Sequence, residues 1–528
     1  MPVSEDAEAT DAVVVGAGIG GLVAAHTLAA RGLRVVVLEA ADRAGGPIQG
    51  GAFGSLPDVP VDLGAESFAV RGGVVEQLAE ELGLTVEAPA GLTAWGWAAG
   101  RGFPLPAAGV LGIPSRPWAA DVRRAIGWPG VLRGSLDRLL PARFVDTANL
   151  GTFARSRLGS RVADRLVTPV AAGVHSAPLD RLDVAAVAPG LLDAYTRTGS
   201  LSRAVASLRA AAPAGSAVRG IDGGVHALVD ALVERLDVRL GTRVVGVERE
   251  VGDAGWLVRI DDGRVLRAPR LVLATRTEFG PLLGADAQIG RLHRDRSINR
   301  PISVQPTDLD VVGAQETELA PAPSPGLAPP PAPERGADIR LVTLLLEAPE
   351  LDAAPRGSGM LVAPGAARGD VRTTSGNVRA TSGHVRTVPD GVRAKALTHA
   401  TAKWPWLARR VRAAVGPGWH VVRLSYGRVG EPTPEPTAEE AARDASALLG
   451  IDLTGRVRDS LHQRWDGALP PPTPAYRAAI QQFEAAVLAE PGLDVTGGWI
   501  AGTGLAAIVG HARRTAARLG EPGTAATF

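Results

Sequence analysis

Residues 11–46, DAVVVGAGIGGLVAAHTLAARGLRVVVLEAADRAGG, have the order of a strand, a glycine turn, a helix and a second strand. The glycines Gly16, Gly18 and Gly21 have the G-x-G-x-x-G spacing of a dinucleotide-binding turn. The first permits a tight bend, the second lets the backbone approach a pyrophosphate, and the third lets the helix pack closely on the strand. The helix predicted over 20–31 points its N-terminal N–H groups at the phosphates.

The second strand, predicted over 34–38, ends at Glu39, which is placed to accept hydrogen bonds from a ribose diol. A carboxylate there also disfavours NADP, because it would repel a 2′-phosphate. A tight αβ turn without a ligand is the alternative. It is disfavoured because strand, turn, helix and acidic residue all have the required spacing.

A second glycine pair, Gly45 and Gly46, follows Glu39 and can bring another loop against the same pyrophosphate. This arrangement resembles the extended FAD fingerprint of the amine oxidase, phytoene desaturase and protoporphyrinogen oxidase superfamily. Pro47 stands where that superfamily usually has a basic residue. The resemblance therefore implies FAD, with one side-chain contact of the fingerprint missing.

Composition limits the other possibilities. The chain has 528 residues with ordinary hydrophobic (45%) and charged (21%) content, so we expect two or three globular domains. Its net charge of +1 suggests no nucleic-acid partner. It contains no cysteine, which excludes disulfides and a cysteinyl-flavin link. We expect no signal peptide, no transmembrane span and a cytoplasmic location, with peripheral membrane contact left open.

The dinucleotide fold is completed far downstream. Short strands are predicted over 238–250, a D-G hairpin over 256–266, a buried strand over 270–275, and a strand at 499–501 before a C-terminal helix. The predicted fold class is α/β (α+β overall), with a discontinuous Rossmann-like FAD-binding domain and two inserted domains. The predicted domains are 1–72, 216–278 and 489–528 for FAD binding, 73–215 as a mainly helical insertion, and 279–488 as a mixed-sheet substrate domain.

Two low-complexity segments interrupt the second insertion. Residues 320–333 are rich in proline and alanine, and a valine-arginine pair recurs four times at constant spacing within 370–393. The first segment is predicted to be a flexible or extended loop. Thr-Ser-Gly steps between the valine-arginine pairs argue against a coiled coil, so the second segment is predicted to be a duplicated polar loop. A basic arm that contacts an anionic partner is the alternative for the second segment.

Several segments resemble the oxygen-dependent protoporphyrinogen and coproporphyrinogen III oxidases of haem synthesis. They are VDLGAESF at 61–68, FPLPAAGVLGIPS at 103–115, LVTPVAAGVHSAPLDRL at 166–182, and VRAKALTHATAKWPWL at 392–407. The K-W-P sequence is typical of these oxidases rather than of amine oxidases. The C-terminal Gly502–Leu505 stretch also lacks the aromatic cage that amine oxidases usually have.

The resemblance implies non-covalent FAD, a porphyrinogen substrate and O₂ as electron acceptor, with hand-over of the product to a ferrochelatase. Coproporphyrinogen III is the preferred substrate and protoporphyrinogen IX the runner-up. An FAD amine oxidase or carotenoid desaturase, and an FAD-fold protein without catalysis, are the alternatives of other classes. The residues predicted to bind FAD are Gly16, Ala17, Gly18, Ile19, Gly20, Gly21, Glu39, Ala40, Gly45, Gly46, Gly64, Ala65, Glu66, Ser67, Val244, Trp404, Gly502, Thr503, Gly504 and Leu505.

A porphyrinogen carries propionates, which arginine can bind through two parallel hydrogen bonds. Arg71 and Arg101 are candidates for this contact, and His175, which replaces an aromatic residue of the family motif, is a candidate for the macrocycle. Surface and packing roles are the alternatives for all three. No side-chain base is nominated, and the pattern indicates no metal site.

Overall fold

The computed structural model describes residues 7–520, apart from 99, 107–108, 142–144, 212–216, 251–254, 276–329, 364–390 and 469. The repeated valine-arginine segment up to residue 390 and most of the proline-alanine segment lie outside the described residues.

The strands of the described part are short, except for three in the largest sheet. They are β1 (Glu8–Ala9), β2 (Ala12–Val15), β3 (Val35–Leu38), β4 (Gly50–Phe53), β5 (Leu56–Asp62), β6 (Phe68–Ala69), β7 (Val86–Glu87), β8 (Trp95–Ala98), β9 (Arg101–Pro104), β10 (Gly109–Val110), β11 (Ile113–Pro114), β12 (Val218–Ile221), β13 (Asp237–Arg239), β14 (Val244–Arg249), β15 (Trp256–Ile260), β16 (Val265–Ala268), β17 (Leu271–Leu273), β18 (Ala337–Glu347), β19 (Gly359–Val362), β20 (Ala396–His399), β21 (Trp419–Tyr426), β22 (Val457–Ala468) and β23 (Leu493–Val495).

The α-helices of the described part occur along the whole chain, and seven of them lie within residues 120–211. They are α1 (Ile19–Ala29), α2 (Val74–Glu81), α3 (Ala120–Ser135), α4 (Leu150–Leu158), α5 (Ser160–Val162), α6 (Gly173–His175), α7 (Val184–Val187), α8 (Leu191–Thr198), α9 (Leu201–Ala211), α10 (Ala227–Val233), α11 (Ala400–Lys403), α12 (Pro405–Val415), α13 (Ala438–Leu449), α14 (Pro474–Leu488), α15 (Gly498–Ala501) and α16 (Leu505–Leu519). A π-helix over Ala163–Ala172 joins α5 to α6.

The nucleotide-binding sheet has the strand order β13-β3-β2-β17-β23, and all neighbouring strands are parallel. Parallel sheets are covered on both faces, which explains the uninterrupted valines of β2 and β3. Val14 packs on the face covered by α1 and α16. Val13 and Val15 pack on the opposite face with the β15–β16 hairpin. The predicted discontinuous Rossmann-like fold is confirmed.

The largest sheet has seven strands in the order β22-β18-β21-β20-β19-β8-β9. Helix α13 covers one face of this mixed sheet. Strands β8 and β9 come from the region predicted as a mainly helical insertion, and β8 pairs in parallel with β19. Helix α2, also within 73–215, packs in the nucleotide-domain core. The domain limits remain predictions, and these contacts assign parts of 73–215 to both neighbouring units.

Helices α3 to α9 enclose a separate hydrophobic core that includes Phe153 and Leu166. At its edge the side chains of Asp137 and Arg157 form a fully buried ion pair of 2.7 Å. Because the pair joins the end of α3 to α4, it holds the helical unit together.

The predicted strand at 499–501 is wrong, because Gly498–Ala501 forms the single helical turn α15. Gly497 and Gly502 flank this turn with φ of 112° and 90°, and these backbone conformations end the turn on both sides. The C-terminal strand of the sheet is instead β23, immediately upstream. Within the described residues, no helix is long and apolar enough to cross a membrane.

Candidate flavin site

The glycine turn lies between β2 and α1, at the carboxyl edge of the nucleotide-binding sheet. Gly16 has φ of 103°, and a Cβ on Gly21 would overlap the carbonyl oxygen of Gly16. No atom lies within 4 Å of the position of a Cβ on Gly18, so this side of the turn is open. Helix α1 begins at Ile19 without a side-chain cap, and its first N–H groups are available to an anion.

The second glycine pair lies against this turn, as the sequence predicts. Gly18 and Gly45 form a parallel β-bridge, and the Gly45 N–H donates to the Ala17 carbonyl at 2.8 Å. Gly45 and Gly46 both have positive φ, 93° and 57°. The two loops therefore form one backbone surface on which a pyrophosphate can bind.

Glu39 follows β3 and is half-buried beside the turn. Its carboxylate accepts hydrogen bonds from the N–H groups of Ala17 and Ala41 at 2.7 and 2.9 Å. The Thr242 N–H donates to the Glu39 carbonyl at 2.7 Å, which brings β14 and its first residue Val244 to the same edge. These contacts hold Glu39 at the edge of the glycine turn, and its contact with a ribose remains a prediction.

A second uncapped helix N-terminus adjoins the first. Helix α16 begins at Leu505 after Gly504 and has no side-chain cap. A Cβ on Gly20 would come within 2.9 Å of the Gly497 Cα, so the segment before α16 lies against the start of α1. Residues 502–504 are exposed. The prediction that this segment opens a helix is confirmed, and the positive ends of two helix dipoles lie in one region.

The segment 62–66 connects the nucleotide domain to the seven-stranded sheet. Its first carboxylate, Asp62, accepts from the N–H groups of Val225 and His226 and contacts His226 Nδ1 at 2.9 Å. Burial alone would lower the pKa of His226, but Asp62 raises it above its ordinary value. A Cβ on Gly64 would overlap the Pro47 carbonyl oxygen, so this segment also touches the loop after the second glycine pair.

Glu66 binds two cations from the seven-stranded sheet and the helix beside it. Its carboxylate contacts Lys403 Nζ at 2.6 Å and the Arg423 guanidinium at 2.7 Å. The same guanidinium donates to the carbonyl oxygens of Asp62 and Gly64 at 3.1 and 3.0 Å. Burial opposes the charge on Glu66, but Arg423 and Lys403 hold its pKa at about 2. Glu66 is therefore ionised, and it fixes the segment that contains Gly64–Ser67.

The family model described as flavin containing amine oxidoreductase matches residues 19–277. A Mycobacterium leprae protein named coproporphyrinogen III oxidase is 26% identical over 95% of this chain and 96% of its own length. A Propionibacterium freudenreichii protein of the same name is 33% identical over 51% of this chain, which spans 57% of that protein. The crystal structure of an Exiguobacterium protein provisionally named protoporphyrinogen oxidase has a TM-score of 0.69, 20% identity, and coverage of 98% and 99% of the two chains.

Residues 19–277 of the chain are thus similar to the flavin containing amine oxidoreductases. Its residues fit the flavin cofactor of this family. Two helices begin uncapped beside an open glycine turn, and a carboxylate lies one strand away. In a family member, the helix N-termini would hold the phosphates and the flavin ring, and Glu39 would hold the ribose.

The predicted cofactor residue Trp404 lies behind this surface. It is buried, and a Cβ on Gly220 would come within 2.7 Å of its ring. Lys403 Nζ lies 4.9 Å from the centre of the same ring. Contact between Trp404 and flavin remains a prediction. The packing indicates that Trp404 positions Lys403.

The three predicted substrate residues lie on separate elements of this flavoprotein. Arg71 is exposed in a short turn that contacts α16, and Arg101 is exposed on the edge strand β9. His175 is half-buried at the end of α6, and burial lowers its pKa. No hydrogen bond or ion pair joins these three residues in the part of the chain that the structure describes. Their substrate roles remain predictions.

Sequence reasoning missed Lys403, Arg423 and the Asp62–His226 pair, although it named Glu66. Lys403 and Arg423 are hundreds of residues from Glu66 in the chain, so no local spacing connects them. One signal was present, because the chain has only two lysines and one of them precedes Trp404 in the K-W-P sequence.

Proposed function

We propose that this flavoprotein oxidises coproporphyrinogen III to coproporphyrin III, with non-covalent FAD as cofactor and O₂ as electron acceptor. The observation that carries the proposal is the similarity to the M. leprae coproporphyrinogen III oxidase, which extends over 95% of this chain and 96% of that relative. The open turn, the two uncapped helices and the Glu66 network support the cofactor part of the proposal.

The reaction removes six hydrogens from a macrocycle with tetrahedral meso carbons. FAD would supply two-electron oxidation chemistry in each cycle, so one porphyrinogen and three O₂ would give one porphyrin and three H₂O₂ over three cycles. The task of the chain is to orient the macrocycle against the flavin and to hold the cofactor rigidly. Glu66 serves the second task, because Lys403 and Arg423 tie its segment to the sheet that would carry the substrate.

Protoporphyrinogen IX is the runner-up substrate, because it presents the same meso carbons. The direct test is to follow porphyrin fluorescence under air with each porphyrinogen and to compare kcat/KM. We expect the higher value for coproporphyrinogen III. A clearly higher value for protoporphyrinogen IX would replace the substrate, and no porphyrin from either would refute the proposal.

A second experiment distinguishes a porphyrinogen oxidase from an amine oxidase. Anaerobic addition of coproporphyrinogen III should bleach the flavin absorbance, whereas simple primary amines should leave it unchanged. Bleaching by an amine alone would favour the amine oxidase alternative. Acid precipitation should release the flavin into the supernatant, since the chain has no cysteine for a thioether link. Flavin that stays in the pellet would contradict non-covalent binding.

Three further parts of the proposal concern partners and place. Coproporphyrin III has no metal, so we propose its hand-over to a ferrochelatase. We also propose action in the cytoplasm, with peripheral contact to a membrane surface. An exposed apolar helix face in the helical unit supports this contact.

A further inference from the structure

Lys395 lies directly before β20 and is only 3% exposed. Its backbone is fixed in the seven-stranded sheet, because its N–H donates to Ser425 at 2.7 Å and its carbonyl accepts from Val362 at 2.9 Å. Its ammonium group donates to the hydroxyl of Ser176. Lys395 is thus a buried cation that reaches from the sheet to the helical unit.

Ser176 is held in place to receive this amine. It has φ of 55°, a left-handed conformation that is uncommon for residues other than glycine. Its carbonyl accepts from the Val429 N–H at 2.8 Å, which ties the end of α6 to the segment after β21. Ser176 directly follows His175, which is a candidate for contact with the macrocycle.

A second cation lies beside the first. The Arg428 side chain is 12% exposed, and its only ion pair in the described part of the chain is a 3.8 Å contact with the exposed Glu431. Arg428 donates to the Val362 carbonyl at 2.8 Å, whereas its Nε has no partner among the described residues. Burial, and then Arg428, lower the pKa of Lys395 to about 7.

No carboxylate pairs with Lys395 among the described residues. The buried carboxylate of Asp444 instead accepts from the N–H groups of Arg393 and Ala394. A buried ammonium group without a carboxylate partner, beside a guanidinium whose one carboxylate partner is exposed and 3.8 Å away, destabilises the fold, and an anionic ligand would reduce this penalty. The arrangement therefore has the chemistry of an anion-binding site. A neutral lysine that merely fills space is the alternative.

The space beside Arg428 suits a small anionic group. Arg428 and Arg393 line a cavity of about 290 Å³, together with Val362, Thr433 and Glu431. Pockets that enclose a whole drug-sized ligand are usually about 300–1,000 Å³. The cavity has room for a short carboxylate arm, and its wall residue Val362 is hydrogen-bonded to the buried Lys395 backbone directly behind it.

We propose that Lys395 and Arg428 bind a propionate carboxylate of the porphyrinogen, with Ser176 orienting the amine. This inference rests on the proposed function. Thr398, three residues along the strand from Lys395, pairs with Arg423 of the Glu66 network. Three strand residues span roughly 10 Å. The carboxylate site and the network that fixes the flavin-binding segment therefore lie on the same part of the sheet.

The test compares Lys395→Met with the wild-type flavoprotein, and Arg443→Gln, an exposed change on α13, serves as the control. Steady-state assays give KM and kcat for coproporphyrinogen III. Fluorescence titration gives Kd for coproporphyrin III and for its tetramethyl ester, which has the same ring without charge. Melting temperature and flavin content report on structure.

We expect Lys395→Met to raise KM roughly tenfold or more, because a charge-assisted hydrogen bond to the substrate is lost. The value of kcat should change little. The variant should also lose the preference for the free acid over the ester. Its melting temperature should not fall, because a buried charge is removed. Lys395→Arg should recover part of the acid preference. Arg443→Gln should behave as wild type.

An unchanged KM in Lys395→Met, or an equal loss of affinity for acid and ester, would overturn this inference and leave the proposed function intact. If Lys395→Met does not fold, Arg428→Gln applies the same criteria to the second cation. A wild-type protein that binds flavin but forms no porphyrin would refute the proposed function, and with it this inference.

Discussion

Glu39 combines two tasks at the scale of a single residue. Its carboxylate accepts hydrogen bonds from two backbone N–H groups, those of Ala17 and Ala41, and this fixes the glycine turn beside the predicted ribose position. The remaining lone pairs of both oxygens are free to accept further hydrogen bonds. The side chain therefore links the shape of the turn to the binding of a diol.

Glu39→Ala should weaken flavin binding roughly tenfold or more, because charge-assisted hydrogen bonds of about 1.5–3 kcal/mol each are lost. The measurement is the flavin-to-protein absorbance ratio after purification, followed by titration of the apoprotein with FAD. Asp42→Ala, a change at an exposed neighbour, is the matched control. Equal flavin occupancy in the Glu39→Ala and wild-type proteins would contradict the ribose role.

Glu66→Gln should lower the melting temperature and the flavin content together. The change leaves the charges of Lys403 and Arg423 without their shared partner, and breaking a buried ion pair costs about 3–5 kcal/mol. Glu350→Gln, which breaks an exposed pair with Arg456, should change neither property measurably.

The same network predicts the effect of acid. The folded pKa of Glu66, about 2, is below its ordinary value of 4.5. Its stabilisation is therefore complete above pH 4.5 and is lost as the pH falls towards 2. Melting temperatures of wild type and Glu66→Gln should converge over this range. A constant difference between the two proteins would show that Glu66 acts by packing alone.

At the scale of elements, the βαβ unit could be predicted because its signals are local. Valine strands, glycine spacing and the acidic residue all fall within residues 11–46. The strand prediction at 499–501 was wrong because Trp-Ile-Ala suits a strand, whereas the two glycines on either side of the segment end a helical turn. Tertiary context overrode propensity there.

The pairing of strands that are distant in the chain could not be predicted from the sequence. The β8–β9 hairpin joins a sheet whose other strands begin at Ala337, and nothing in its own residues identifies that partner. The Glu66 cluster has the same origin, since three separate segments must first fold to bring Glu66, Lys403 and Arg423 together. The predictable part of the site is therefore its backbone turn, and the unpredictable part is its side-chain network.

The helical unit depends on the buried pair of Asp137 and Arg157. Asp137 also accepts from the Ser200 hydroxyl and from the N–H groups of Leu201 and Ser202, at 2.6, 3.1 and 2.8 Å. Arg157 in turn donates to the Gly199 carbonyl at 2.8 Å. One ion pair thus joins the end of α3, helix α4 and the start of α9.

Asp137→Ala should destabilise the protein by about 3–5 kcal/mol, because it leaves the Arg157 charge buried without a partner. Burial opposes the charge on Asp137, but its hydrogen bonds with Ser200, Ser202, Arg157 and Leu201 hold its pKa below the ordinary value. The stabilisation is therefore present above the ordinary pKa and lost as the pH falls through the lower folded value.

Thermal unfolding at neutral pH is the measurement, and Glu347→Gln, which breaks an exposed pair with Arg458, is the control. Unfolding should begin in the helical unit, so proteolysis within 120–211 should precede loss of flavin. A melting temperature equal to that of wild type would mean that the pair contributes no net stability.

At the scale of the whole molecule, the three units meet around two charged clusters. Glu66, Lys403 and Arg423 join the nucleotide domain to the seven-stranded sheet and its flanking helix. Lys395 and Ser176 join that sheet to the helical unit. Glu66 pairs with both cations of the first cluster, whereas no carboxylate among the described residues pairs with Lys395 in the second. The first cluster therefore suits a structural role and the second suits ligand binding.

One surface of the helical unit is unusually apolar for a molecule of net charge +1. Trp128, Leu132 and Leu139 are 63%, 68% and 79% exposed. Their spacing, with the exposed Leu136 between them, places them on one side of α3 and the turn after it. The guanidinium of Arg123 lies 5.0 Å from the Trp128 ring centre. Tryptophan, leucine and arginine on one helix face are typical of binding to an anionic lipid surface.

The triple change Trp128→Ser, Leu132→Ser and Leu139→Ser should therefore reduce co-sedimentation with vesicles of phosphatidylcholine and phosphatidylglycerol. Binding of the wild-type protein to the vesicles should weaken in high salt, because salt screens the attraction between Arg123 and the anionic lipid. Val245→Ser with Leu488→Ser changes exposed apolar residues elsewhere and should bind as wild type does. Flavin content and melting temperature should stay unchanged in the triple variant, since these side chains are outside the core. The contrary outcome is a wild-type protein that does not bind vesicles and is a dimer, which the triple change converts to a monomer. In that case the face binds a second copy of the chain, and the membrane prediction is wrong.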